Sequence, residues 1–245
     1  MEDLWLTNQQ SYLKIKAQGD TNMPQRMLPL VNSEFYHVFN RGIENRTVFE
    51  NEDYYLRAIQ ALDYYRHDSP PIKLSRLTEL SVGRYLEVME FLEKENSFLV
   101  DILSYCLMPN HFHFLLRQKK DNGIAIFLAN FQNSYTRYFN TKNKRRGPIF
   151  LTQFKAKLIK SENQLFHVSR YIHLNPYSAK IVTTLDELEK YPWSSFKEYT
   201  ERKVKGICEK EAVLSNFKTG ERYKKFVFDN ADYQRTLQEI KRLLY

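Results

Sequence analysis

The sequence predicts an α+β domain with a βαββαβ order, and three observations predict it. Residues alternate between two faces over 34–40 and again over 111–116, the period-two signature of strands. Apolar residues recur at helical spacing over 53–66 and 123–140. Turn signals at Arg41-Gly42, Ser69-Pro70-Pro71 and Pro109-Asn110 separate these segments.

Residues 1–30 are polar and mixed without periodicity, and read as an N-terminal arm. In the first strand, Phe35, His37 and Phe39 alternate with Tyr36, Val38 and Asn40. The helix over 53–66 carries Tyr55, Ile59, Leu62 and Tyr65 at helical spacing, and Ser69-Pro70-Pro71 stops it. Residues 72–96 read as an insertion whose helical part covers about 83–95. Residues 97–107 form an apolar run rich in β-formers, joined through Met108-Pro109-Asn110 to the strand beginning at His111. There His111, His113 and Leu115 share one side, while Phe112, Phe114 and Leu116 share the other. The helix over 123–140 lines up Ile126, Phe127, Phe131, Tyr135 and Tyr138, and a last strand lies within 149–160, most clearly from Phe154 to Lys160. Strand, helix, strand, strand, helix, strand is the order of a ferredoxin-like or RRM-like antiparallel sheet, with both helices on one face. The other face is where His111 and His113 are expected to point.

A further helix is predicted over 163–175. Proline disfavours helical geometry in the residue before it, so Asn175 is expected to be the last helical residue or its cap, with Pro176 ending the helix. Beyond it come the Tyr191-Pro192-Trp193-Ser194-Ser195-Phe196 turn, a charged linker and a mostly helical tail. The expected organisation is an arm over 1–30, a main domain over 31–182 with its insertion at 72–96, and a linker with helical tail over 183–245.

Composition narrows the function classes. The chain of 245 residues is 42% hydrophobic, enough for a sizeable core, and its few glycines and prolines exclude a low-complexity or collagen-like chain. Its two cysteines, Cys106 and Cys208, form no CxxC pair, so neither a zinc ribbon nor a disulfide framework is indicated. The start MEDLWLTNQQ lacks the pattern of a signal peptide, and no run of 18 apolar residues exists. A cytoplasmic protein with no membrane partner is the expectation. A net charge of +8 favours a polyanionic partner. Residues 131–180 hold ten Lys or Arg against the single acid Glu162, so the rest of the chain is nearly neutral. The cations Arg137, Lys142, Lys144, Arg145, Arg146, Lys155 and Lys157 are interleaved with aromatic rings, which suits a single-stranded nucleic acid.

The His-x-His spacing alone also fits a half-buried strand with two incidental histidines. A helix laid across the free face would supply what a metal site lacks. Tyr171 and Asn175 are four residues apart, with Cβ atoms roughly 6 Å apart on one helix face. Asn175 offers an amide oxygen as third ligand, and Tyr171 a phenol as nucleophile. Two nitrogens and one oxygen leave positions open for phosphate oxygen and water, as Mg²⁺ or Mn²⁺ requires. Tyr135 and Tyr138 are rival nucleophiles, although their helix is expected on the covered face.

Four ordered segments then become recognisable together: Tyr36-His37-Val38-Phe39-Asn40-Arg41-Gly42, Met108-Pro109-Asn110-His111-Phe112-His113, Ser134-Tyr135-Thr136-Arg137-Tyr138-Phe139-Asn140 and Tyr171-Ile172-His173-Leu174-Asn175-Pro176. With Tyr191-Pro192-Trp193-Ser194-Ser195 following, residues 31–200 resemble the REP-associated tyrosine transposases, single-tyrosine enzymes of the HUH (His-hydrophobic-His) class. The resemblance implies a metal-dependent endonuclease and strand transferase acting on single-stranded DNA beside hairpin or palindromic elements. It implies Tyr171 as the residue joined to a 5′-phosphate, with Mg²⁺ or Mn²⁺ held by His111, His113 and Asn175. Arg41 joins the basic residues of the window as a DNA-binding residue. The alternative is a catalytically silent single-strand-binding module on the same fold, and a third reading is a small metal phosphoesterase that would not need Tyr171. Monomer and homodimer both remain open.

Overall fold

The computed structural model describes residues 29–201, 204 and 206–243. The expected arm therefore lies, but for its last two residues, outside the described residues. Four strands form one antiparallel sheet: β1 (Phe35–Arg41), β2 (Val100–Met108), β3 (His111–Gln118) and β4 (Lys155–Leu158), in the spatial order β2-β3-β1-β4. With α1 (Glu52–Tyr65) after β1 and α4 (Gly123–Lys142) after β3, this is the βαββαβ order expected. The insertion holds one short turn, α2 (Leu74–Leu77), and the helix α3 (Val82–Glu95).

Alternation explains how one sheet serves two cores. Tyr36 and Val38 of β1 and Phe112, Phe114 and Leu116 of β3 turn toward α1 and α4, where Leu62, Phe127, Phe131 and Tyr135 complete a buried cluster. Leu115, Cys106 and Met108 turn the other way, toward α5 (Glu162–Ser178), whose Ile172 and Leu174 are fully buried. Strand β2 feeds both clusters by alternation, and its register shifts between Ile102 and Ser104, which swaps the face that even and odd positions take. Burial on both faces explains why 97–107 reads as a continuous apolar run, and the bulge lets Ile102 and Tyr105 both face the first cluster with Leu103 on the second.

Helix α5 runs three residues past the expected end. Pro176 lies in its last turn and cannot donate to a preceding carbonyl. Its own carbonyl still accepts the Ile181 N–H at 2.9 Å, and that of Asn175 accepts the Ala179 N–H at 2.9 Å. One missing bond near a helix end is tolerated, so proline does not break it.

After α5 come the short helices α6 (Leu185–Glu189), α7 (Phe196–Thr200) and α8 (Glu211–Leu214), then α9 (Gly220–Phe228) and α10 (Ala231–Leu243). These helices contribute Leu188, Phe196, Tyr199, Val213, Leu214, Tyr223 and Val227 to the second cluster. The YPWSS segment covers the outer edge of β2. The Leu107 N–H donates to the Trp193 carbonyl at 2.8 Å, and the Ser195 N–H to the Tyr105 carbonyl at 3.0 Å. The Tyr191 and Tyr199 hydroxyls donate to the Leu107 and Leu103 carbonyls, and Trp193 stacks on Tyr55 with ring centroids 4.5 Å apart. An otherwise open strand edge is thereby closed from within the chain. No helix of the described residues is long and apolar enough to cross a membrane.

Candidate active site

The free face of the sheet is built by register. On β1, Phe39 stands opposite His113 and Arg41 opposite His111; on the other flank Lys157 stands opposite His37 and Lys155 opposite Phe39. His37, Phe39 and Arg41, His111 and His113, and Lys155 and Lys157 therefore point to one side. A tight turn follows β1: a Cβ on Gly42 would stand 2.4 Å from the Arg46 carbonyl oxygen, so only glycine fits there.

Helix α5 crosses this face, and its rotation is pinned by a residue between the two of interest. His173 is fully buried, with Nδ1 2.8 Å from the Tyr223 hydroxyl and Nε2 2.8 Å from the Ser195 hydroxyl. Ser195 in turn accepts the Tyr105 N–H at 2.9 Å. With His173 tied to β2 and to α9 on one side, Tyr171 and Asn175 project toward the sheet. From α10, Gln234 donates to the Tyr171 carbonyl at 3.1 Å.

The result is a cleft of about 1030 Å³ whose lining includes Phe39, Arg41, His111, His113, Tyr171 and Asn175. The His111 and His113 rings lie 5.1 Å apart, nearly perpendicular. The half-buried Tyr171 ring lies 5.7 Å from that of His113 and 5.7 Å from that of His37. His37, which the sequence reading placed on β1 without a role, has Nε2 2.9 Å from Nδ1 of His113. On the other side, His111 Nδ1 lies 2.6 Å from Asn110 Oδ1. Asn110 also donates through Nδ2 to the Asn45 carbonyl at 3.3 Å, which fixes its amide with the oxygen toward the ring. An amide oxygen only accepts, so His111 carries its proton on Nδ1 and leaves Nε2 bare.

Burial sets the protonation states. It pushes the imidazoles of His37 and His111 down to about 4, with Lys157 and Arg41 respectively adding to the effect. His113 is driven well below the ordinary histidine value by burial first and then by its two histidine neighbours. All three are neutral at pH 7 and keep lone pairs. Burial raises the Tyr171 phenol above its ordinary value. Asn175 is buried, and its Nδ2 has no hydrogen-bond partner. A half-turn of the amide places Oδ1 there instead, an oxygen ligand beside two imidazoles. The donor set thus fits a divalent cation that takes nitrogen and oxygen and keeps open positions.

The other predicted site residues divide. Arg41 and Lys155 line the cleft, and Lys157 faces the same side from β4. Arg137 lies on the opposite, helical face, in a groove against α1. Lys142 pairs with Asp53 at 3.3 Å, and Arg145 braces its own loop through Asn140 Oδ1 at 2.7 Å and the Pro148 carbonyl at 3.2 Å. Lys144 and Arg146 are exposed in that loop. The rival Tyr135 is fully buried on the helical side, with its hydroxyl donating to the Val48 carbonyl. A second cluster of ligand types, Asp63, His67 and Glu93, already holds a cation of the chain's own: Arg66 reaches Asp63 at 3.0 Å and Glu93 at 2.5 Å.

Comparison with known proteins follows the same residues. The family model described as "Transposase IS200 like" matches residues 77–175, which include His111, His113, Tyr171 and Asn175. No match was found among curated proteins. Among solved structures, the chain is similar to one described as "Structure of the REP associates tyrosine transposase bound to a REP hairpin". The TM-score is 0.51 at 13% identity, over 76% of this chain and 90% of that one. The chain therefore resembles the IS200-like transposases in sequence over residues 77–175, and it shares its fold with a REP-associated tyrosine transposase.

Proposed function

We propose that the protein is a transposase-type endonuclease and strand transferase that cuts single-stranded DNA near hairpin or palindromic elements through a tyrosine–DNA intermediate. The observation that carries this reading is the meeting of Tyr171, His111, His113 and Asn175 in one cleft. The Tyr171 oxygen attacks a backbone phosphorus, forming a bond to the 5′-phosphate and breaking the bond to the 3′ oxygen. The phenol's proton ends on that oxygen, giving a 3′-hydroxyl. Attack by a 3′-hydroxyl reverses the step and joins strands.

His111, His113 and Asn175 would hold Mg²⁺ or Mn²⁺, which supplies polarisation of the phosphate and stabilisation of its developing charge. The chain's own groups do the rest. Asn110 and His37 hold the two imidazoles in the tautomer that keeps Nε2 free. His173, through Ser195 and Tyr223, fixes the turn of α5 that presents the phenol. Arg41, Lys155 and Lys157 line the approach for a polyanionic strand. The family match and the similar structure of a transposase bound to a REP hairpin support DNA as the partner class.

The test is a labelled single-stranded oligonucleotide carrying a hairpin, assayed for a covalent protein–DNA adduct with Mg²⁺ or Mn²⁺. An adduct that survives denaturation and maps to Tyr171 is the expected result. DNA binding with no adduct under either metal would leave a silent binding module.

A further inference from the structure

A groove larger than the Tyr171 cleft lies elsewhere on the molecule. It lies across the sheet, on the helical face, between α1, the segment 69–79 and α4, with a volume of about 1310 Å³. Its floor contains Arg57, an arginine only 6% exposed. The guanidinium carbon lies 5.4 Å from the centre of the Tyr138 ring, and Nη1 makes a long contact of 3.4 Å with the Thr78 hydroxyl. Nε has no partner, and among the described residues no carboxylate pairs with this side chain. Burial disfavours its charge. Such an arginine is normally found against an acid.

The rim compounds the imbalance. Lys73 and Arg137 are exposed at the groove, and its one lining acid, Glu79, pairs with Arg76 at 3.0 Å. The Ser134 hydroxyl and the Tyr138 ring complete the lining that bears on recognition, while the Thr78 hydroxyl donates back to the Leu74 carbonyl at 3.1 Å. A planar fork below and two cations at the rim suit an anion presenting several oxygens. The volume exceeds what a bare ion needs and leaves room for the body to which it is attached.

We propose that this groove is a phosphate-binding site, anchored by Arg57 and closed by Lys73 and Arg137. It lies on the face of the sheet opposite Tyr171 and uses none of the residues assigned to cleavage. The phosphate belongs either to the backbone of a DNA hairpin or to a free anion such as inorganic phosphate or a mononucleotide, and the experiment separates these sources.

Binding is measured on the whole protein in EDTA, so that failure of the cleavage reading leaves the result intact. One arm titrates inorganic phosphate and dAMP by calorimetry, and the other follows a fluorescent DNA hairpin by anisotropy across a salt series. The variants are Lys73→Gln/Arg137→Gln, both exposed and so compatible with folding, and Arg57→Lys, which keeps the charge and loses the fork. A free-anion site predicts that both variants weaken phosphate or dAMP binding about tenfold or more, the loss of at least one charge-assisted hydrogen bond. A backbone site predicts that the double variant flattens the slope of log affinity against log salt by about 1.8, two duplex contacts at about 0.9 each. The control is Arg222→Gln/Lys225→Gln on α9. Unchanged binding of both probes in the groove variants, or an equal loss in the control, overturns the proposal.

Discussion

The Nε2 atom of His37 lies 2.9 Å from Nδ1 of His113. For His113 to present a bare Nε2 to a cation, its Nδ1 must carry the proton and His37 must accept it. A buried, neutral His37 does so at pH 7. This places His37 where an outer-shell carboxylate or carbonyl usually stands behind a ligating histidine. His37→Ala should weaken Mn²⁺ binding by about 10- to 100-fold, the usual effect of losing such a partner. Calorimetry without DNA reads it. Wild-type affinity in His37→Ala would show that the contact does not set the tautomer.

Tyr171→Phe should abolish the adduct while leaving hairpin binding nearly unchanged, since only the attacking oxygen is deleted. No hydrogen bond from the Tyr171 hydroxyl holds the fold among those described, so stability should move by no more than about 1 kcal/mol. Adduct formation at the wild-type rate would transfer the role to another residue. Tyr135 is a poor successor, because it is fully buried on the far side of the sheet.

His111→Ala or His113→Ala should remove cleavage in Mg²⁺, and Mn²⁺ should rescue Asn175→Ala better than either. Losing one oxygen ligand leaves two imidazoles, and Mn²⁺ is the better metal for nitrogen. Cleavage that persists in excess EDTA rules out the metal-dependent reading.

Much of this arrangement was legible because strand alternation is local. Phe112 and Phe114 against His111 and His113 reads directly as two faces, and the i,i+4 pair Tyr171 and Asn175 reads as one helix face. His37 was equally visible as a β1 residue on the Phe35–Phe39 face. Its role depends on β1 lying beside β3, a long-range pairing that no local pattern encodes. Pro176 misled because the local rule weighs the lost bond and the strain on Asn175, not the position of the loss in a final turn. The basic window is continuous in sequence, yet its residues divide between two faces: Lys155 and Lys157 lie with Tyr171, and Arg137 lies with Arg57. Charge counts along a chain carry no information about which side of a sheet each cation occupies.

That division makes a prediction about the single-stranded substrate. Lys155→Gln/Lys157→Gln should flatten the salt dependence of single-strand binding by about 1.4, two contacts at roughly 0.7 each. Arg145→Gln should act on the fold of its loop instead, because its guanidinium is spent on Asn140 and Pro148. Equal changes in the salt slope from the two variants would mean that net charge alone governs binding.

His173 supplies a pH dependence of stability whose sign follows from its burial. Its pKa is lowered from 6.5 to about 3 by burial. Between these values the unfolded chain binds a proton that the folded protein refuses. The contribution is therefore fully present above pH 6.5 and is lost as pH falls from 6.5 toward 3. The slope from one such group is about 1.4 kcal/mol per pH unit. His37, His67 and His111, each lowered to about 4, act in the same direction, so the wild-type curve should be steeper than one group alone gives. His173→Gln keeps a donor and an acceptor toward Ser195 and Tyr223 but cannot titrate. The variant should be less stable at pH 7.5, because the amide fits the two hydroxyls less well. It should also lose less on acidification, by about 1.4 kcal/mol per pH unit between pH 6 and 4. Urea unfolding of both proteins across that range reads the difference. Parallel curves would show that His173 is protonated in the folded state, and that the tie from α5 through Ser195 to β2 is not the neutral, buried contact described here.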